Sequence, residues 1–186
     1  MEKLLLVGAG GFGRVVLEHA SKEYECAFLD DGPEIGTVVD GVTVIGRTDD
    51  LARWYGEYDK LIVTIGNNKL RERIYAKAES IGYSFPNIIH PSAYISPHAH
   101  ISDGTIILNN AVVQNGARAG RGLIMNPGTE LHQDSTVGNN VLIYTNSVVR
   151  SLAHVGDRAW IGANAVIGTG VSVPYDARVE DGEVVG

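Results

Sequence analysis

The clearest chemical spacing in this sequence belongs to Gly8, Gly10 and Gly13, which satisfy Gly-x-Gly-x-x-Gly. Glycines at that spacing let the backbone approach a phosphate, and the start of the helix that follows favours negative charge. Asp30 and Asp31 come about twenty residues later, where carboxylates accept hydrogen bonds from a ribose or a base N–H. Six histidines supply the groups that titrate nearest neutral pH. His19 falls in a helical pattern, His90 precedes Pro91, and His154 precedes Val155. His98 and His100 are two apart, and His132 is followed by Gln133 and Asp134. His98, His100 and His132 have the donor type for a metal but lie in different repeats, so no metal is expected.

The glycine loop needs a strand before it and a helix after it. Lys3–Val7 is a short apolar run, and the residues after Gly13 have helical spacing. Cys26–Leu29 is a second apolar run, ending at Asp30-Asp31. Val38–Ile45 contains Asp40-Gly41 and reads as a hairpin. Thr48 or Asp49 is placed to cap a short helix through Trp54. Lys60–Ile65 reads as a third strand ending at Gly66-Asn67-Asn68, and Leu70–Ile81 as a second long helix. About 85 residues make one mononucleotide-sized, Rossmann-like half domain. An NAD-dependent oxidoreductase needs a second half and a catalytic domain with a hydride acceptor, and the repeats that follow are not expected to supply either. The simplest alternative is a tight strand-to-helix turn that binds nothing.

The rest of the chain repeats every six residues. Ile89, Ile95, Ile101, Ile107, Val113, Ala119, Met125, Leu131, Val137, Ile143, Val149, Val155, Ile161, Ile167, Val173, Val179 and Val185 are all apolar. Two residues before most of them stands Ala, Ser or Thr, and Gly120, Gly138, Gly156, Gly162 and Gly168 come just after. A helix cannot hold a strict period of six, and a flat strand would show a period of two. The period fits a hexapeptide β-helix, with one short strand and one turn per hexad and about 18 residues per triangular coil. The boundary between the halves is expected near Phe85–Pro91, giving domains 1–86 and 87–186.

Composition narrows the partners. The net charge is −7, from 15 Lys and Arg against 22 Asp and Glu. That balance disfavours nucleic acid and anionic membrane surfaces. The single cysteine, Cys26, excludes an intramolecular disulfide framework. No apolar run approaches the ~20 residues of a membrane span, and the start of the chain does not read as a signal peptide. A cytoplasmic setting without membrane insertion is the resulting expectation.

The hexads resemble those of hexapeptide-repeat acyltransferases, whose left-handed parallel β-helices assemble as trimers and bind acyl-CoA between prisms. A Gly-rich α/β domain fused to such a helix resembles the NeuD/PglD-type sugar acetyltransferases. The resemblance rests on Gly8–Gly13, Phe28–Asp31, Ile65–Arg71, Ile89–Ala93 and Trp160–Val166. It implies an acetyl-CoA-dependent transferase acting on a sugar. The implied acceptor is the amino group of a nucleotide-linked 4-amino sugar used in surface glycan synthesis. Sialic acid O-acetylation is the variant with a hydroxyl acceptor. The alternative is a non-catalytic or altered-donor subunit of the same fold. Carried over residue by residue, the resemblance assigns Gly10, Gly11, Asp30, Asp31, Asn67 and Arg71 to the nucleotide sugar.

The family's catalytic histidine stands five residues before a glycine and is followed by an acid. Here that glycine is Gly138, the position holds Gln133, Asp134 stands where the acid belongs, and His132 is one residue early. Three readings stay open: a local turn re-aims His132 as the base, an amine acceptor needs no base and Gln133 positions it, or the member is inactive. The resemblance places CoA along the later coils, at Tyr144, Ser151, Gly156, Gly162, Ala163 and Gly168, with Arg150 or Arg158 near a phosphate. The chain departs from the family at Leu142, Tyr144 and Arg150-Ser151-Leu152. A trimer would bury some of Ile106, Leu108, Val112, Leu123, Ile124 and Val148, the apolar residues outside the inward series.

Overall fold

The computed structural model describes all residues 1–186, and they form two units, Met1–Ile88 and Ile89–Gly186. In the first unit, strand β1 (Glu2–Val7) is followed by helix α1 (Gly11–Ala20) and β2 (Tyr24–Leu29). The hairpin β3 (Val38–Val39) and β4 (Val42–Gly46) comes next, then the short α2 (Leu51–Trp54), β5 (Lys60–Val63) and α3 (Asn68–Ile81). The sheet order is β3-β4-β2-β1-β5, and all its pairs are parallel except the hairpin. Leu4, Leu5, Leu6, Val7, Leu61, Ile62 and Val63 are fully buried, as expected of a parallel sheet covered on both faces. Asp40 and Gly41 both take positive φ, 46° and 83°, which matches the twist of a two-residue hairpin.

Two helix starts differ from the sequence expectation. Neither Thr48 nor Asp49 caps α2; Asp50 holds the cap position, and its carboxylate accepts from Arg47 N at 2.7 Å instead. Helix α3 begins at Asn68, two residues earlier than expected, because Asn67 Oδ1 accepts from Leu70 N at 3.0 Å. It ends at Gly82, which takes a φ of 116°.

The second unit is a left-handed parallel β-helix of two-residue strands. Successive coils pair in parallel at an offset of 18 residues, as in Val112 with Glu130 and Glu130 with Val148. The strands form three faces. The first runs from Ile88–Ile89 to Arg178–Val179, the second from Tyr94–Ile95 to Val184–Val185, and the third from His100–Ile101 to Ser172–Val173. The inward series builds one continuous core from Ile107 to Val179, and the small residues two positions earlier, Ala111, Ala117 and Ala153 among them, pack into it. Ile89 is the exception at 39% exposed, on the strand that ends its face.

Glycines serve this prism in two ways. Every sixth residue from Gly104 to Gly182 sits at a corner with positive φ. Of these fourteen corners, six carry Gly and six carry Asn or Asp, the residues that tolerate the left-handed region. The glycines just after the inward residues are not turn glycines. A β-carbon at Gly120 would lie 2.5 Å from Gly138 C, and one at Gly156 would lie 2.4 Å from Tyr175 N. They are needed because the next coil passes about 4.8 Å away, leaving no room for a side chain.

The outward apolar residues also divide. Leu123 belongs to the prism core, two positions before Met125, and is not an outward residue. Ile106, Leu108 and Ile124 are buried within the chain at 0–2% exposure, so they are not free for contacts between subunits. Val112 and Val148, on the second face, keep partial exposure. No helix is long and apolar enough to cross a membrane.

Candidate functional site

In the first unit the predicted residues gather at the C-terminal ends of β1, β2 and β5, where parallel α/β sheets bind ligands. Gly13 and Gly8 hold the turn: a β-carbon at Gly13 would sit 1.9 Å from Gly8 O, and Gly8 has a φ of 114°. Gly10 and Gly11 are exposed, and a β-carbon at either meets nothing within 4 Å. The open side of the loop is therefore theirs. Asp30 braces the loop from β2, accepting from Ala9 N at 2.6 Å and Gly32 N at 2.7 Å. Asp31 is exposed and accepts from Thr48 N at 2.9 Å and Thr48 Oγ1 at 2.6 Å. Those two hydrogen bonds hold its carboxyl below the usual carboxylate range. Asn67 is exposed beside Gly66 while its side chain caps α3.

Arg71 is turned inward. It is fully buried and donates to Ile65 O and to Asn68 Oδ1, each at 2.8 Å. Burial lowers its pKa to about 10. The i, i+3 spacing from Asn68 brings its guanidinium to the loop that follows β5, where it holds Ile65 and Asn68.

In the second unit His132, Gln133 and Asp134 occupy the edge between the second and third faces. His132 Nε2 lies 3.0 Å from Glu130 Oε2, with the two side chains 26% and 42% exposed. The acid on the imidazole is thus Glu130, not Asp134. Asp134 takes the left-handed corner with φ 59°, and its carboxylate points down the edge, where a β-carbon at Gly116 would meet Oδ1 at 2.1 Å. The one-residue shift of His132 explains the exchange of acids. Residues two apart on extended backbone share a face, so His132 stands beside the outward Glu130. Sequence reading missed Glu130, although that spacing was the available signal. A carboxylate only accepts, so Nε2 carries the hydrogen and Nδ1 of the neutral ring keeps the lone pair. Gln133 is exposed at the corner, and its backbone N–H donates to Gln114 Oε1 at 3.2 Å.

The six residues expected along CoA lie on all three edges of the prism. Ser151 and Gly168 share the edge of His132. Tyr144, Gly162 and Ala163 lie on the edge between the first and second faces, and Gly156 on the edge between the third and first. No single ligand can lie along all three edges of one prism. Gly162 is also buried against Asp181 of the next coil. Tyr144 packs on Trp160 with centroids 4.9 Å apart, and Arg178 covers Trp160 at 3.9 Å. Gly156 opens into a cavity of about 410 Å³ lined by His154, Asp157, Ser172 and Tyr175. Arg158 is held by Asp176 at 2.9 and 3.1 Å and is not a free phosphate ligand, whereas Arg150 is exposed.

These two constructions have known counterparts. Residues 3–78 match the family model of the PglD N-terminal domain. The acetyltransferase domain of PglB from Neisseria gonorrhoeae FA1090 is 32% identical, over 100% of this chain and 92% of that one, with a TM-score of 0.94. A structure of that domain in complex with acetyl coenzyme A aligns at 32% identity over 98% of this chain and 95% of that one, with a TM-score of 0.88. PerB from Caulobacter crescentus, in complex with CoA and GDP-perosamine, is 25% identical over 100% of this chain and 95% of that one, with a TM-score of 0.58. With identity at that level along nearly the full length of an acetyltransferase domain, the chain belongs to the NeuD/PglD-type family of sugar acetyltransferases.

Proposed function

We propose that this protein transfers the acetyl group of acetyl-CoA to the amino group of a nucleotide-linked 4-amino sugar, in the synthesis of a surface glycan. The observation that carries this reading is the 32% identity across 92% of an acetyltransferase domain that also binds acetyl coenzyme A. The 25% identity to a protein that binds CoA together with GDP-perosamine supports the amino-sugar acceptor. Gly10 and Gly11 take the phosphates of the nucleotide on their open side, with Asp30, Asp31 and Asn67 framing the loop. The reaction joins the acceptor nitrogen to the thioester carbonyl carbon and then breaks the carbon–sulfur bond. The surplus proton on nitrogen passes to Nδ1 of His132, which then gives it to the departing sulfur, so that CoA leaves as the thiol and the imidazole is again neutral. Glu130 holds the ring and stabilises the imidazolium that forms.

The pantetheine arm lies along the edge of Ser151 and Gly168, and an edge of a second copy closes the groove from the other side. That arrangement needs a homotrimer, with Val112 and Val148 of the second face at the contact. The cytoplasm supplies both acetyl-CoA and nucleotide sugar. The test is thiol release from acetyl-CoA with UDP- and GDP-linked 4-amino sugars and free sialic acid as acceptors. Release is expected with an amino sugar, and His132→Ala should lower turnover by about 10² or more. Unchanged turnover in that variant removes His132 from the mechanism. Absence of release with every acceptor, from protein that still binds nucleotide, favours an altered acyl donor or a non-catalytic subunit.

A further inference from the structure

Twelve of the fourteen left-handed corners carry Gly, Asn or Asp, and only Leu152 and Arg158 do not. Arg158, with φ 58°, has a reason within the chain: its guanidinium pairs with Asp176 through Nε and Nη2 at 2.9 and 3.1 Å. Leu152 has φ 61°, and its side chain stands 64% exposed. Its β-carbon crowds the backbone, and its isobutyl group gains little burial in return. Asparagine would suit the fold better. Strain that the fold does not need is kept where the position serves another purpose.

The place of Leu152 narrows that purpose. Its backbone N–H donates to Gln133 O at 3.3 Å, so it sits directly one coil beyond the turn that carries His132. One coil is about 4.8 Å. The equivalent corner of the next coil is Gly170, exposed and with open space where a β-carbon would be. The isobutyl group therefore projects from the same edge as the imidazole, with an unobstructed stretch of edge beyond it.

We propose that Leu152 is a binding residue for acyl-CoA, covering the apolar end of the pantetheine arm next to the thioester. This rests on the acyl-transfer reading above. A thioester within reach of His132 must bring its sulfur and adjacent methylenes to this height of the prism. Those groups carry no charge and gain from contact with a hydrocarbon side chain. The polar amides further along the arm then pass over the Gly168–Gly170 turn.

The test compares Leu152→Asn and Leu152→Met with the wild-type protein. Leu152→Asn relieves the backbone and should raise Tm by about 2–4 °C. It should also weaken CoA binding, measured by calorimetry, and raise KM for acetyl-CoA, each about tenfold. KM for the sugar should stay within about twofold, a split that a purely structural role would not produce. Leu152→Met, which keeps a hydrocarbon arm, should restore most of the CoA affinity. CoA affinity unchanged in Leu152→Asn overturns the proposal while leaving acyl transfer intact. A smaller assembly with unchanged CoA affinity overturns it too, and assigns Leu152 to a contact between copies. A wild-type protein that binds no CoA refutes the acyl-transfer reading along with this one.

Discussion

Replacing Glu130 by Gln tests whether the acid found on His132 takes part in the reaction. The side chains meet at 3.0 Å, so the charge that develops on the imidazole forms beside the carboxylate. Two unit charges at that separation attract by about 1.4 kcal/mol in water and about 5.5 kcal/mol at an effective dielectric of 20. With the partners 26% and 42% exposed, solvent screening keeps the value towards the lower end, at about 2 kcal/mol. That corresponds to about thirtyfold in kcat. The assay is thiol release at saturating acetyl-CoA and acceptor, on Glu130→Gln, His132→Ala and the double variant. If Glu130 acts through His132, its loss adds almost nothing once the imidazole is gone. The reasoning fails if Glu130→Gln keeps wild-type kcat. It fails equally if the two substitutions multiply fully, since Glu130 would then act on something other than the ring.

Two further expectations concern the scaffold. Gly120→Ala places a β-carbon within 2.5–2.7 Å of Gly138 and Asn139 backbone, whereas at Gly170 it meets only open space at a φ of 71°. Calorimetry at one protomer concentration should show Gly170→Ala costing about 1–2 kcal/mol and Gly120→Ala clearly more, and the reverse order would refute the two-role account of these glycines. Asp31, held below the usual carboxylate range by Thr48, binds fewer protons folded than unfolded, so its contribution is full near neutrality and is lost as pH falls through its folded pKa. Urea midpoints from about pH 7 down to about pH 3 should be lower for Asp31→Asn near neutrality and converge with wild type in acid. Parallel curves would remove Asp31 from the acid response.

The architecture of both units follows from residue spacing alone. A period of six without a slip names the inward residue of every strand, because each coil rests on the one 18 residues before it and any slip would turn its side chains outward. The glycine spacing likewise located the loop after β1, since Gly13 must let α1 approach the Gly8 carbonyl. What a period cannot report is which group stands across a turn or on the next coil; only the folded contacts show that. Asp30 and Asp31 have the types and position expected of ligand contacts, yet their oxygens brace Ala9, Gly32 and Thr48. Arg71 is a cation in a loop motif, but the helical turn from Asn68 carries it inside. Asp134 stands where the resemblance puts the orienting acid, two residues after His132, yet a left-handed corner directs it along the edge while Glu130 meets the imidazole. The six CoA positions share hexad phases but not an edge, because successive hexads turn onto different faces of the prism. Periodicity reports the direction of a side chain relative to its own backbone; contacts depend on where the rest of the chain returns.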